Sequence, residues 1–218
     1  NASCRAGRYL KRHPAGIGSM TFEVEDLDRA WKFLLSRDAT PISKIQESRE
    51  NGGMYRHFSI TTPIGDVAFR FVEKRDFDGF APGFENLVVD PQLPVNPLGF
   101  RTVDHVTNNA MSMISVTLWM EHVMGLEQCW EIEFHTEDIN EGADGGTGLK
   151  SIVMWDPHSG LKFPVNEPLH PFFKEGQINS FVEANMGPGI QHVALEVEDA
   201  VATVKTLIER GVQFLDTP

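Results

Sequence analysis

The segment GIGSMTFEVEDLDRAWKFLLSRDA, residues 16–39, aligns without a gap with the segment GIQHVALEVEDAVATVKTLIERGV, residues 189–212. The identical pairs are Gly16/Gly189, Ile17/Ile190, Glu23/Glu196, Val24/Val197, Glu25/Glu198, Asp26/Asp199, Lys32/Lys205, Leu34/Leu207 and Arg37/Arg210. Internal similarity of this kind indicates a repeated structural unit, so the chain has to be interpreted unit by unit.

Each copy predicts a strand followed by a helix. Apolar residues alternate at Met20, Phe22 and Val24, and the second copy alternates in the same way. An aspartate then stands where each helix is expected to begin, Asp26 in the first copy and Asp199 in the second. Apolar residues at helical spacing follow in both copies.

The residues after the first helix predict three further strands. These strands are expected at residues 42–46, 55–61 and 67–72, with turns at Gly52-Gly53 and Gly65-Asp66. The predicted order of elements in the first unit is therefore βαβββ.

A second βαβββ unit begins near Arg101. Its helix is expected to run through Trp119 and Met124, and its strands to occupy residues 101–107, 130–135, 149–155 and 161–165. A third unit begins at Gly189 with a strand and a helix. This α+β pattern of tandem βαβββ modules resembles the vicinal oxygen chelate, or glyoxalase-like, fold, in which curved mixed sheets surround a metal cleft. A stretch rich in Pro and Gly predicts a linker at 91–99, between a domain at 1–90 and a domain at 100–218.

The first strands of the three units carry Ser19, His105 and His192 at equivalent positions. One strand histidine alone is more often a hydrogen-bonded core residue than a ligand. Two histidines at matching repeat positions favour a metal site, because imidazoles could supply two ligands of a 2-His-1-carboxylate triad. Glu196, which shares a strand face with His192, is a conceivable ligand but is better explained as a strand-end carboxylate. The other histidines are interpreted as surface or local-structure residues: His13, His57, His122, His135, His158 and His170.

Composition excludes several classes of protein. A formal net charge of -12 makes nucleic acid and anionic membranes poor partners. No apolar run is long enough to span a bilayer, and the two cysteines, Cys4 and Cys129, form no metal or disulfide motif. These features predict a cytoplasmic protein.

A more specific resemblance comes from the motif KFPVNEP at 162–168, Gly176-Gln177-Ile178, and the segment GPGIQHVALEVEDAVATVKTLIERGVQFLDTP that ends at Pro218. These motifs resemble the catalytic domain of the 4-hydroxyphenylpyruvate dioxygenase family. The first unit, with FAPGFE at 80–85, is similar to the second half of that family's non-catalytic domain. The resemblance covers nearly the whole chain and weakens at 107–132.

The resemblance implies a function and a set of site residues. His105 and His192 correspond to two ligands of Fe2+, and Ser151, Asn166, Gln177 and Gln191 to residues that line the substrate pocket. Ordinary structural roles are also open for these four residues. Ser151 could be a strand residue, Asn166 a turn residue and Gln177 a helix start. The side chain of Gln191 would point to the opposite strand face from His192 unless a bulge intervenes.

The family's activity follows from the same resemblance. Its members convert 4-hydroxyphenylpyruvate and O2 to homogentisate and CO2 in tyrosine catabolism, and the substrate is a small aromatic α-keto acid. The third ligand, a glutamate, is expected beyond Pro218, so the 218 residues are expected to be a fragment that is inactive alone. A homo-oligomer is also expected. The alternatives are a 4-hydroxymandelate synthase, which oxidises the benzylic carbon of the same substrate, and a non-enzymatic protein of the same fold that binds a small ligand.

Overall fold

The computed structural model describes residues 4–85, 87, 96–142, 145–169 and 174–215. His170 and residues 91–95 of the expected linker lie outside this range. A short helix, α1 (Arg5–Tyr9), precedes the first unit. None of the helices in the described ranges is long and apolar enough to cross a membrane.

The first unit is a four-stranded sheet with one helix. It contains β1 (Ser19–Glu23), α2 (Leu27–Leu35), β2 (Gln46–Glu50), β3 (Gly53–Thr61) and β4 (Ala68–Arg75), in the spatial order β1-β4-β3-β2. β1 and β4 run parallel, and the other neighbours are antiparallel. The βαβββ order predicted for this unit is confirmed.

One predicted strand of the first unit is wrong. Residues 42–45 form no strand, and β2 begins only at Gln46. β2 is an edge strand with mostly exposed polar side chains, held by its main-chain pairing with β3. Of the apolar residues that suggested a strand, Ile45 packs against the core and Ile42 is exposed.

The second unit repeats this arrangement and accepts the first strand of the third. It comprises β5 (Phe100–Asn109), α3 (Ile114–Trp119), β6 (Glu127–His135), β7 (Gly148–Trp155) and β8 (Lys162–Pro168). A π-helical turn at Met120–Met124 follows α3, and a 3-10 turn at Thr136–Asp138 follows β6. After α4 (Gln177–Ala184), β9 (Gly189–Val197) and α5 (Ala200–Glu209) form the start of the third unit.

The second sheet has the order β6-β7-β8-β5-β9. β9 lies antiparallel to β5, so the first strands of the second and third units become neighbours. The prediction that both α2 and α5 begin after an aspartate is confirmed, because Asp26 and Asp199 each accept a hydrogen bond from the backbone three residues on.

A hydrophobic core joins the two sheets. Phe69 of β4 and Phe163 of β8 are fully buried, and their rings stack with centroids 5.7 Å apart. The core also takes in Val116 and Met120 of the second unit's helical segment. Full burial of a side chain of this size contributes roughly 1.5–3 kcal/mol. This packing fills one face of the second sheet and leaves its other face for polar residues. The division into domains at 1–90 and 100–218 stays a prediction.

Candidate metal centre

The two histidines at matching repeat positions lie side by side. His105 is paired with Ala194, and Thr107 is paired with His192, across the antiparallel strands β5 and β9. Directly opposed residues of such a pair share a sheet face, so both imidazoles project from the same face. Their ring centroids are 5.6 Å apart and the ring planes meet at 76°. Two imidazoles at this separation can bind a single ion.

A β-bulge precedes each histidine. The pairing register shifts at Asp104 on β5, directly before His105, and at Gln191 on β9, directly before His192. In a regular strand, adjacent side chains point to opposite faces, and a bulge relaxes this alternation. Each bulged residue therefore reaches the ring of the histidine that follows it.

The hydrogen bonds to Asp104 and Gln191 indicate which nitrogen of each imidazole is protonated. Nδ1 of His105 lies 2.7 Å from Oδ2 of Asp104, and Nδ1 of His192 lies 3.0 Å from the amide Oε1 of Gln191. Hydrogen bonds from Lys162 and from His105 hold the pKa of Asp104 below its usual range, so this group is a carboxylate that only accepts. In the neutral form of each ring, the proton therefore lies on Nδ1 and Nε2 offers its lone pair.

The second ring nitrogen of His192, Nε2, contacts a threonine. Nε2 of His192 lies 3.0 Å from Oγ1 of the buried Thr107, whose hydroxyl donates to it. Burial lowers the pKa of His192, and the neighbouring His105 lowers it further, so the ring is neutral near pH 7. A neutral imidazole is the form that binds metals. Neither Thr107 nor Asp104 was predicted from the sequence.

A row of buried polar side chains continues the same sheet face. Ser151 of β7 is paired with Asn166 of β8, and Asn166 is paired with Asn109 of β5. The side-chain nitrogen of Asn166 donates to Oδ1 of Asn109 at 3.0 Å. Nδ2 of Asn109 is buried and has no hydrogen-bond partner among the described residues. The structure thus brings together two of the predicted pocket residues and adds Asn109, which the sequence analysis missed.

The two predicted glutamines lie elsewhere. Gln191 is on its bulge beside His192. Gln177 begins α4, as its helix-start interpretation predicted, and is exposed. α4 packs against β8 and β5 through Ile178 and Val182, which are buried. Within the described ranges, no hydrogen bond connects Gln177 with the histidines.

The donor set fits two of the ligands that an iron ion needs. No group of three or more His, Cys, Asp or Glu side chains that could hold an ion is present in the described part of the chain. Glu196 forms an ion pair with Arg101 at 3.4 Å and contributes no third ligand here. Among the other histidines, His13 and His135 are buried and have local structural contacts. His135 caps the 3-10 turn, and His13 contacts Asp66 and the backbone of Asn185.

Comparisons with known proteins agree with this architecture. Proteins named 4-hydroxyphenylpyruvate dioxygenase from Dictyostelium discoideum and Tetrahymena thermophila are 28% and 31% identical to the chain, and the alignments cover 96% and 97% of it. The chain spans about half the length of these relatives, 57% and 52%.

A solved structure and a family description give the same result. A mutant of 4-hydroxymandelate synthase from Streptomyces coelicolor matches with a TM-score of 0.76 at 22% identity, covering 99% of this chain and 59% of that one, which shows a shared fold. The sequence model of the Glyoxalase/Bleomycin resistance protein/Dioxygenase superfamily matches residues 99–218. The chain therefore belongs to the glyoxalase, bleomycin resistance protein and dioxygenase superfamily.

Proposed function

We propose that the protein to which this chain belongs is an Fe(II)-dependent 4-hydroxyphenylpyruvate dioxygenase, which forms homogentisate and CO2 from its substrate and O2. The observation that carries the proposal is the pair of imidazoles, His105 and His192, on one face of adjacent strands. The names of relatives that align over nearly the whole chain support the choice of substrate.

His105 and His192 would hold Fe2+ through Nε2, and a carboxylate beyond Pro218 would complete the set. The bound iron would supply the activation of O2 and of the α-keto acid. The chain's own contribution is to hold the two imidazoles in a fixed orientation. Asp104 and Gln191 provide that orientation through the two Nδ1 atoms.

The substrate would lie over the polar row. Ser151 and Asn166, with Asn109 beside them, present hydroxyl and amide groups that can bind a carboxylate, a keto oxygen or a phenol. Gln177 and Gln191 stay proposed pocket residues, Gln191 through its second lone pair. α4 contacts β8 and β5, and it would help to keep water from the row.

The experiment compares single substitutions in the full protein. His192→Ala should abolish stoichiometric Fe(II) binding and turnover, because a ligand is lost. Asn166→Ala should retain iron but lower kcat/KM about fivefold to tenfold, since one hydrogen bond contributes on the order of 1 kcal/mol. His122→Ala removes an exposed histidine away from the pair and is the matched control. Unchanged iron binding in His192→Ala would refute the proposal.

Product analysis tests the two alternatives. Mass spectrometry of the full protein's product distinguishes homogentisate from 4-hydroxymandelate, which have different fragmentation. A full protein that binds the keto acid but no Fe(II) would be a small-ligand-binding protein instead.

Location and partners stay predictions. The cytoplasmic location is proposed from the sequence alone, in which Cys4 and Cys129 form no disulfide motif. The formal net charge of -12 supports the prediction that neither nucleic acid nor an anionic membrane surface is a partner. A homo-oligomer is proposed on the family resemblance alone.

A further inference from the structure

Lys162 links two strands where their backbone pairing has ended. The parallel pairing of β5 with β8 is limited to the pairs Asn108–Val165 and Asn109–Asn166. Pro164 has no N–H to donate, so the ladder cannot continue through it toward the start of β8. The part of β5 that carries His105 therefore lies beside β8 without main-chain bonds to it.

Side-chain hydrogen bonds connect β5 and β8 where main-chain hydrogen bonds are lacking. Nζ of Lys162 donates to Oδ1 of Asp104 at 2.6 Å, and the other oxygen, Oδ2, accepts from Nδ1 of His105 at 2.7 Å. Both oxygens of one carboxylate are thus used, one by β8 and one by the imidazole. Charge-assisted hydrogen bonds are shorter and roughly twice as strong as neutral ones, and these distances match that class.

We propose that Lys162 and Asp104 form a positioning pair that fixes the tautomer and ring orientation of His105. Lys162 acts through Asp104 and contacts neither metal nor substrate. The inference rests on the proposed metal site, because it concerns the support of one of its ligands. His192 has a different support, the neutral amide of Gln191.

A simpler explanation is an ordinary surface ion pair. The side chains of Lys162 and Asp104 are 37% and 38% exposed, and pairs at the surface commonly contribute 0–1 kcal/mol. Such a pair would leave the His105 ring unaffected when the lysine is removed. The position of Asp104 on a bulge argues for the positioning role, because only the bulge allows its carboxylate to reach both groups.

Two measurements test the pair. Long-range 1H–15N spectra of the metal-free chain report the tautomer of each histidine. We expect His105 to be protonated at Nδ1 in the wild type, to become a mixture of tautomers in Lys162→Met, and to return to Nδ1–H in Lys162→Arg. The His192 signals should not change and are the internal control. Lys162→Gln, which keeps most of the side chain, replaces Lys162→Met if that variant does not fold.

The second measurement is Co(II) affinity in the full protein. Asp104→Ala should weaken Co(II) binding about 10–100-fold, the range typical of lost partners of metal-ligating histidines, and Lys162→Met should weaken it severalfold. Unchanged tautomers and unchanged Co(II) affinity in Lys162→Met would overturn the inference while leaving the metal site intact. A wild type that binds no Co(II), but whose His105 tautomer still depends on Lys162, would refute the proposed function and retain the positioning pair.

Discussion

Asn109 is fully buried, and its Nδ2 has no hydrogen-bond partner among the described residues. An unpartnered buried donor costs about 1–3 kcal/mol, so its presence on the sheet face that carries the two histidines favours an acceptor on a bound substrate. The alternation of side chains along a strand could have identified Asn109, because residues 105, 107 and 109 share a face of a regular strand.

We predict that Asn109→Ala lowers kcat/KM of the full protein about tenfold and leaves Fe(II) binding intact. The substrate would lose one hydrogen bond, whereas both imidazoles would stay in place. Asn108→Ala is the matched control, since Asn108 is equally buried on the same strand but faces the other way. Steady-state kinetics on both variants measures the effect. Equal losses of kcat/KM in Asn109→Ala and Asn108→Ala would contradict a contact between Asn109 and the substrate.

At the scale of residues, the sequence predicted the two proposed ligands but not the residues that contact their rings. His105 and His192 followed from the repeat, since equivalent positions in repeated units share an environment. Asp104 and Gln191 act through bulges, and a bulge depends on the pairing partner, which one strand's sequence does not reveal. Thr107 was missed for a related reason, because its contact with His192 needs the antiparallel pairing of β5 and β9.

Asp66 gives a pH-dependent prediction. Its carboxylate accepts from His13 at 3.0 Å and from Arg12 at 3.3 Å, and these contacts, His13 foremost, lower its pKa. A carboxylate with a depressed folded-state pKa stabilises the fold above its unfolded pKa of about 3.9, and this contribution is lost as the pH falls toward the folded value. Asp66→Asn should therefore destabilise the chain at pH 7 and have a smaller effect at pH 3.

Urea unfolding midpoints at both pH values test this prediction. Asp78→Asn is the control, because Asp78 is exposed and has no ion pair among the described residues. A loss of stability in Asp66→Asn that is the same at pH 3 and pH 7 would show that the ionised carboxylate is not the cause.

At the scale of elements, predictions succeeded where a strand carries apolar side chains into the core. β3, β4 and β7 were predicted to within a few residues, because each contains buried apolar side chains. β2 was misplaced because its Gln, Glu, Ser and Arg side chains have no apolar periodicity. The π-helical turn after α3 was also missed; it ends at Gly125, whose φ of 73° suits glycine.

The two aspartate caps allow a comparison within one molecule. Asp26 and Asp199 have the same backbone angles, φ -137° and ψ 102°, and cap helices of the same repeat position. Loss of such a cap costs about 1 kcal/mol of helix stability. α2 carries the buried Leu27 and Leu34 into the core, whereas α5 is mostly exposed.

We therefore expect Asp26→Ala to lower the free energy of unfolding of the whole chain by about 1 kcal/mol. Asp199→Ala should mainly increase amide hydrogen exchange within α5, because that helix can open without exposing the core. Urea unfolding and hydrogen exchange measure the two effects. Serine at either position should restore the wild-type values, and a full global loss in Asp199→Ala would show that α5 is coupled to the core.

The repeat predicted the tandem units of the whole molecule but not how the units pack. The sequence pattern of a single strand does not predict that β9 joins the sheet of the second unit. It also does not predict that Phe69 and Phe163, from different units, stack. Both features depend on apolar surfaces that can be buried in several ways, and the choice is made by three-dimensional fit.

The shared core makes unfolding of the two units interdependent, which is our prediction at this scale. Phe163 is fully buried and stacks on Phe69, so Phe163→Ala should remove contacts from both sheets and lower stability by about 3–5 kcal/mol. Circular dichroism and tryptophan fluorescence should still give coincident transitions, because neither sheet keeps a complete core when the other unfolds. Phe80→Ala, at a position 73% exposed, should change stability by about 0.5 kcal/mol or less. Two separate transitions, with only one displaced by Phe163→Ala, would mean that each unit is stable alone and that the stacked rings join two independent bodies.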